Sequence, residues 1–168
     1  CVDFHTTDLN NTYAKIGSYI DLKTYPYGNA HKVEVNGKTE ILCQHGTEEC
    51  HGNKLHACAI DSLNNVSRSL YYISCMMMDY WGTDGSTDTD ATKCGQLMNI
   101  DSKPIIECAN GEKGENLLEY YGNETDKVKN RMGTPWILIN GKLCNFNKGF
   151  MTQICEALAY PPPECKQI

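Results

Sequence analysis

The sequence predicts an α/β fold in which a disulfide-rich helical insertion interrupts a core of strands and helices. Three observations carry that expectation. Two Asn-Gly pairs, Asn36-Gly37 and Asn140-Gly141, follow β-forming runs and mark tight hairpins. Between them, apolar residues recur at helical spacing from Leu55 to Trp81. Ten cysteines in 168 residues point to a cross-linked scaffold.

Taken in order, Phe4, Leu9, Tyr13 and Ile16 give Val2 to Tyr19 the spacing of a helix stripe. Ile20 to Tyr25 alternates as a strand and stops at Pro26-Tyr27-Gly28-Asn29. Val33 to Val35 and Thr39 to Leu42 flank Asn36-Gly37 as the arms of a type I′ hairpin. Leu55, Ala59, Leu63 and Val66 read as helix, and so do Leu70, Ile73, Met77 and Trp81. Gly82 to Asp90 is a polar break, short helical pieces reach Cys108, and Leu117 to Tyr120 is a further helical turn. Pro135 to Asn140 is a continuous apolar run, which predicts a buried strand entering the second hairpin. Phe150 to Leu158 closes the chain as a helix, before Pro161-Pro162-Pro163 stiffens the tail. There is no internal repeat and no linker. Residues 1–168 therefore read as one domain, with 1–47 and 114–168 as core and 48–113 as the helical insertion.

The net charge of −6, with no Lys/Arg run longer than two, argues against nucleic acid, whose phosphates need a concentrated basic face. No apolar run approaches the roughly 18 residues of a membrane span. So many cysteines do not suit a reducing cytosol. Three sequons, Asn10-Asn11-Thr12, Asn65-Val66-Ser67 and Asn123-Glu124-Thr125, agree with passage through the secretory pathway as a secreted or endolysosomal glycoprotein. No signal peptide is visible, so the chain reads as a mature or trimmed form.

The most informative stretch runs from Cys43-Gln44-His45-Gly46 through Cys50 and Asn53 to Cys58. This pattern, with Pro26-Tyr27-Gly28-Asn29-Ala30 before it and Pro135-Trp136 after it, resembles the gamma-interferon-inducible lysosomal thiol reductase (GILT) family. The resemblance implies a thioredoxin-like core lacking its first strand, no bound cofactor, and reduction of protein disulfides with small thiols as reductant. It also implies a C-x-x-C pair whose first thiol is exposed at a helix N-terminus, where the dipole and free N–H groups lower its pKa. That thiol attacks a disulfide, and the second resolves the mixed disulfide.

Cys1 opens the chain where one member of that pair is expected. It suits the resolving position, with its partner upstream, or the attacking position, with Phe4 in place of the resolver. On either reading the pair is incomplete here. The alternative function is therefore a secreted, catalytically inactive GILT-like protein that binds a protein or cell-surface partner. The plain alternative for Cys1 is a structural bridge. Pro135 is expected to follow a cis Thr134-Pro135 bond and to lend its backbone to an extended substrate.

By the same resemblance Cys43, Cys50, Cys58, Cys75, Cys94, Cys108, Cys155 and Cys165 form the disulfide scaffold. Cys155 with Cys165 would pin the tail, and Cys94 with Cys108 would close a local loop; the remaining pairs stay open. Cys144 is left over, either for an intermolecular disulfide linking a homodimer or as a buried free thiol. The Cys43–Cys58 block also holds His45, His51 and His56, but its ligand spacings are longer than those of closed zinc sites. We therefore expect no metal there, oxidised cysteines and histidines at a polar surface, although His45 could poise Cys1 if the fold brought them together. Met76, Met77 and Met78 with Tyr80 and Trp81 offer an adaptable apolar surface, but at helical spacing Met77 and Trp81 read as core. Asp84, Asp88 and Asp90 lack calcium-loop spacing and read as a solvated loop.

Overall fold

The computed structural model describes residues 1–78 and 85–167. Tyr80, Trp81 and the start of the polar break, Asp84 included, lie outside the described residues. The elements run α1 (Val2–Phe4), α2 (Asn10–Ile16), β1 (His31–Val35), β2 (Lys38–Leu42), α3 (Thr47–Leu63), α4 (Val66–Met78), α5 (Asp88–Met98), α6 (Lys103–Ala109), α7 (Glu112–Asp126), β3 (Leu138–Ile139), β4 (Lys142–Leu143) and α8 (Phe150–Ala157). The protein is thus mostly helical. Among the described residues its strands form two separate two-stranded antiparallel sheets, β1-β2 and β3-β4, rather than one continuous sheet.

Two compact units divide the chain: Lys23–Asn130, and Cys1–Leu22 together with Arg131–Ile168. The β1-β2 hairpin and α7, expected in the core, belong to the same unit as the helical block.

In the Lys23–Asn130 unit, β1 and β2 pair from His31↔Leu42 to Val35↔Lys38. Asn36 and Gly37 take φ values of 52° and 76°, the left-handed pair that a type I′ turn requires. Glu48 and Glu49 occupy the first turn of α3, where carboxylates suit the helix dipole, and Asn64 ends it in the left-handed conformation. Leu55, Ala59, Tyr72, Ile73, Met76, Ala91, Ile105 and Ala109 form the main core. The buried Tyr72 hydroxyl donates to the Ala91 carbonyl at 2.7 Å, joining α4 to α5.

Three disulfides lock this unit. Cys43–Cys50 ties the end of the hairpin to α3, Cys58–Cys108 joins α3 to α6, and Cys75–Cys94 joins α4 to α5. The expected Cys94–Cys108 bridge is therefore corrected. Although α5 and α6 are consecutive, Cys94 faces α4 and Cys108 faces α3.

Two further readings change here. Leu70 and Ile73 are buried as their spacing suggested, but one turn later it is Met76 that is fully buried, with Met77 only partly buried against the core. Asp88 and Asp90 are not in a solvated loop: Asp88 begins α5, and Asp90 forms a capping box with Thr87.

In the other unit, α1 and α2 are joined by a π-helical turn over His5–Leu9. The Thr6 hydroxyl donates to the Val2 carbonyl at 2.9 Å and Thr7 donates to the Asp3 carbonyl. Such back-bonding competes with the backbone ladder and accounts for the widened turn. Ile16, Ile154 and Cys155 form this unit's core. Phe4 meets Phe150 edge-on at 4.9 Å, fastening the first helix to α8, and Cys155–Cys165 holds the tail.

Two strand expectations are not met. Ile20 to Tyr25 forms no strand, because alternation alone cannot hold a strand without a neighbouring ladder. The apolar run from Pro135 does enter a hairpin, with ladder pairs at Leu138 and Ile139 and the Ile137 carbonyl accepting from the Cys144 amide at 2.9 Å, but Leu138 remains 46% exposed, so it is not a buried strand.

Candidate functional site

Eight of the ten cysteines are oxidised, and the two free thiols, Cys1 and Cys144, both belong to the unit that holds Cys1–Leu22 and Arg131–Ile168. Cys1 is exposed and stands at the N-cap of α1, its carbonyl accepting the first helical bond from the His5 amide at 2.9 Å. It is in no bridge, so the thiol is available to a disulfide in solution.

His5 follows one turn later and is half-buried. Burial pushes its pKa down to about 4. The imidazole is therefore neutral in mildly acid solution. The sequence carried one sign of it, a histidine four residues after Cys1 and so one helical turn away.

Cys144 differs in every respect. It is 5% exposed, and the Gln153 side-chain N–H donates to its sulfur at 3.4 Å. Burial raises its pKa, Gln153 acts in the opposite sense, and Asp8 adds to the rise. A thiol so enclosed cannot meet a partner chain's sulfur without local opening. In this structure Cys144 is a buried free thiol, the second of the two states expected of the odd cysteine.

Pro135 is half-buried and follows a cis Thr134-Pro135 peptide bond. It belongs to the same unit as Cys1 and leads into β3.

The histidines of the Cys43–Cys58 block are engaged separately. The ring of His45 lies 3.4 Å from the Glu49 carboxylate, and His51 lies 2.7 Å from Asp88. Asn110 donates to the other oxygen of Asp88 at 3.1 Å. His56 is not at a polar surface as expected: it is buried, 2.9 Å from the hydroxyl of Ser86. Cys43, Cys50 and Cys58 are consumed by disulfides, which removes them as metal ligands. This block is a scaffold.

Comparison with known proteins bears on that division between scaffold and free thiol. A family model for gamma interferon inducible lysosomal thiol reductase (GILT) matches residues 1–98. The chain is similar to the gamma-interferon-inducible lysosomal thiol reductase of Mus musculus, 28% identical over 159 residues that cover 93% of this chain and 62% of that protein. It is similar to the GILT-like protein of Anopheles gambiae at 28% over 162 residues, covering 87% and 66%. GILT-like protein 2 of Drosophila melanogaster is 31% identical over 142 residues, covering 83% and 63%. The chain thus spans less than two thirds of the length of each of these curated relatives.

Proposed function

The chain belongs to the GILT family, and on that premise we propose that it is a thiol–disulfide oxidoreductase acting on protein disulfides, with Cys1 as its reactive thiol. Family membership supports a thiol-reductase-like function. The observation that carries the finer reading is the contrast among the sulfurs: Cys1 is exposed and free, while every other cysteine is bridged or buried. The helix, hairpin and closing helix of the Cys1 unit follow the order of a thioredoxin-like core, which supports that frame. Pro135 is proposed to offer its backbone to the substrate.

In the reaction the Cys1 thiolate attacks one sulfur of a substrate disulfide. That S–S bond breaks, the departing thiolate takes up a proton, and a mixed disulfide forms on Cys1. Phe4 stands three residues later, where a resolving thiol would be needed. In this chain a small thiol therefore attacks the mixed disulfide, releases the second substrate thiol and remains on Cys1 until another small thiol frees it. The test is insulin reduction at acid pH with a small thiol present. Activity should be lost in Cys1→Ser and kept in Cys144→Ala; equal activity in wild type and Cys1→Ser excludes Cys1 as the reactive thiol.

Four disulfides support residence in an oxidising, secretory-pathway setting, secreted or endolysosomal. The lone exposed thiol favours a second reading, a secreted GILT-like protein that works by binding a protein partner. A cysteine encoded three positions before Cys1 would make Cys1 the resolving thiol of a two-thiol enzyme; with any other residue there, the insulin assay separates the one-thiol reductase from the binder.

A further inference from the structure

We propose that Asn123 is an N-glycosylation site whose first N-acetylglucosamine lies over the exposed ring of Tyr120. Both residues are on α7, three positions apart, and so are neighbours on one helix face. Helical side chains lean towards the helix N-terminus, which puts a substituent on Asn123 within reach of the turn that carries Tyr120. Asn123 is exposed, and its Oδ1 accepts a hydrogen bond from the Lys32 ammonium at 2.5 Å. Lys32 also reaches Asp126 at 3.2 Å, which fixes the ammonium between the two side chains. This contact uses Oδ1 alone, so it is compatible with a sugar already carried on Nδ2.

The receiving surface is already formed. Tyr120 is 53% exposed, and its ring is braced edge-on by Tyr121 at 5.2 Å. Tyr25, 48% exposed, also meets Tyr121 edge-on, at 5.9 Å. A rigid, half-exposed aromatic cluster suits the C–H face of a pyranose, which covers apolar ring surface while its hydroxyls stay in water. Neither of the other two sequons has an aromatic residue three or four positions before its asparagine: Thr6 and Thr7 precede Asn10, and Asp61 and Ser62 precede Asn65. Modification takes place on the unfolded chain in the secretory pathway. Asn123 Nδ2 bonds to C1 of a lipid-diphosphate-linked oligosaccharide, the C1–O bond breaks, the lipid diphosphate leaves and Nδ2 gives up one proton.

The test uses the chain made in a eukaryotic secretory host, trimmed by an endoglycosidase that leaves one N-acetylglucosamine. Peptide mass spectrometry reads occupancy at Asn123, and mapped nitration by tetranitromethane reads the exposure of Tyr120. Asn123 should carry the sugar, and Tyr120 should nitrate several-fold more slowly than in the same chain refolded from a host that adds no glycan. Asn65→Gln should leave that slowing intact. An unoccupied Asn123, or an occupied one whose Tyr120 nitrates at the unglycosylated rate, overturns the proposal. Neither readout involves Cys1, so the outcome is independent of the thiol chemistry proposed above.

Discussion

Removing the Cys58–Cys108 bridge should be the most damaging of the four disulfide deletions. Its sequence separation is 50 residues, against 19, 10 and 7 for the others. In the chain-entropy description a loop of that length restricts the unfolded chain by about 4 kcal/mol, against about 3 kcal/mol for Cys75–Cys94 and about 2.5 kcal/mol for the two shortest. Cys58 is fully buried and Cys108 is 9% exposed. Truncating both to Ala also leaves a small void in the main core, worth about another 1 kcal/mol. The combined loss of about 5 kcal/mol is comparable to the whole stability of many domains. Urea unfolding followed by far-UV circular dichroism would compare Cys58→Ala/Cys108→Ala with Cys75→Ala/Cys94→Ala and Cys155→Ala/Cys165→Ala. The variants should rank in that order, and the first should show a steeper denaturant dependence because its unfolded chain is more open. A loss below about 2 kcal/mol for Cys58→Ala/Cys108→Ala, or one smaller than for the Cys155–Cys165 pair, refutes the loop-length reasoning. Peptide mapping without reduction that found Cys94 joined to Cys108 would refute the pairing itself.

Folded His5 stays neutral to about pH 4, whereas its unfolded value is 6.5. The unfolded chain therefore binds the extra proton between those values. Its stabilisation is complete above pH 6.5 and falls by about 2–3 kcal/mol as the pH drops to 4. His5→Leu should flatten that part of the stability–pH curve, and parallel curves for the two proteins would contradict it. Tyr72→Phe removes the donor to the buried Ala91 carbonyl and should cost about 1–2 kcal/mol in urea unfolding. In wild type the same hydroxyl, pushed up to about 12 by burial, should ionise late in a spectrophotometric titration. Iodoacetamide should modify Cys1 promptly in the native protein and Cys144 only as the protein unfolds; equally fast labelling of both would contradict the burial of Cys144.

The hairpin was legible because its signal is local: Asn36-Gly37 needs only the two adjacent runs to define turn and register. The helices α3 and α8 were legible for a similar reason, since a 3.6-residue apolar period survives whatever it packs against. Ile20 to Tyr25 was misleading because a strand is completed by a neighbour that its own alternation cannot supply. The pairing of Cys94 and Cys108 failed on helical phase. Fourteen residues of separation look convenient along the chain, yet consecutive helices direct those two sulfurs to different partners. At the candidate site, Cys1 was recognisable from its relation to a family pattern. The enclosure of Cys144 was not, because it depends on Gln153, a residue type with no distinguishing mark in sequence.

The Cys43–Cys50 link has a consequence for the protein when it meets a reductant. The other three cross-links each have at least one sulfur-bearing residue sunk in a core, whereas both halves of this one are only half-buried. Small thiols should cut it first, letting the end of the hairpin lift from α3 while the helices behind it stay clasped. Wear would thus begin at one replaceable fastening and spare the frame.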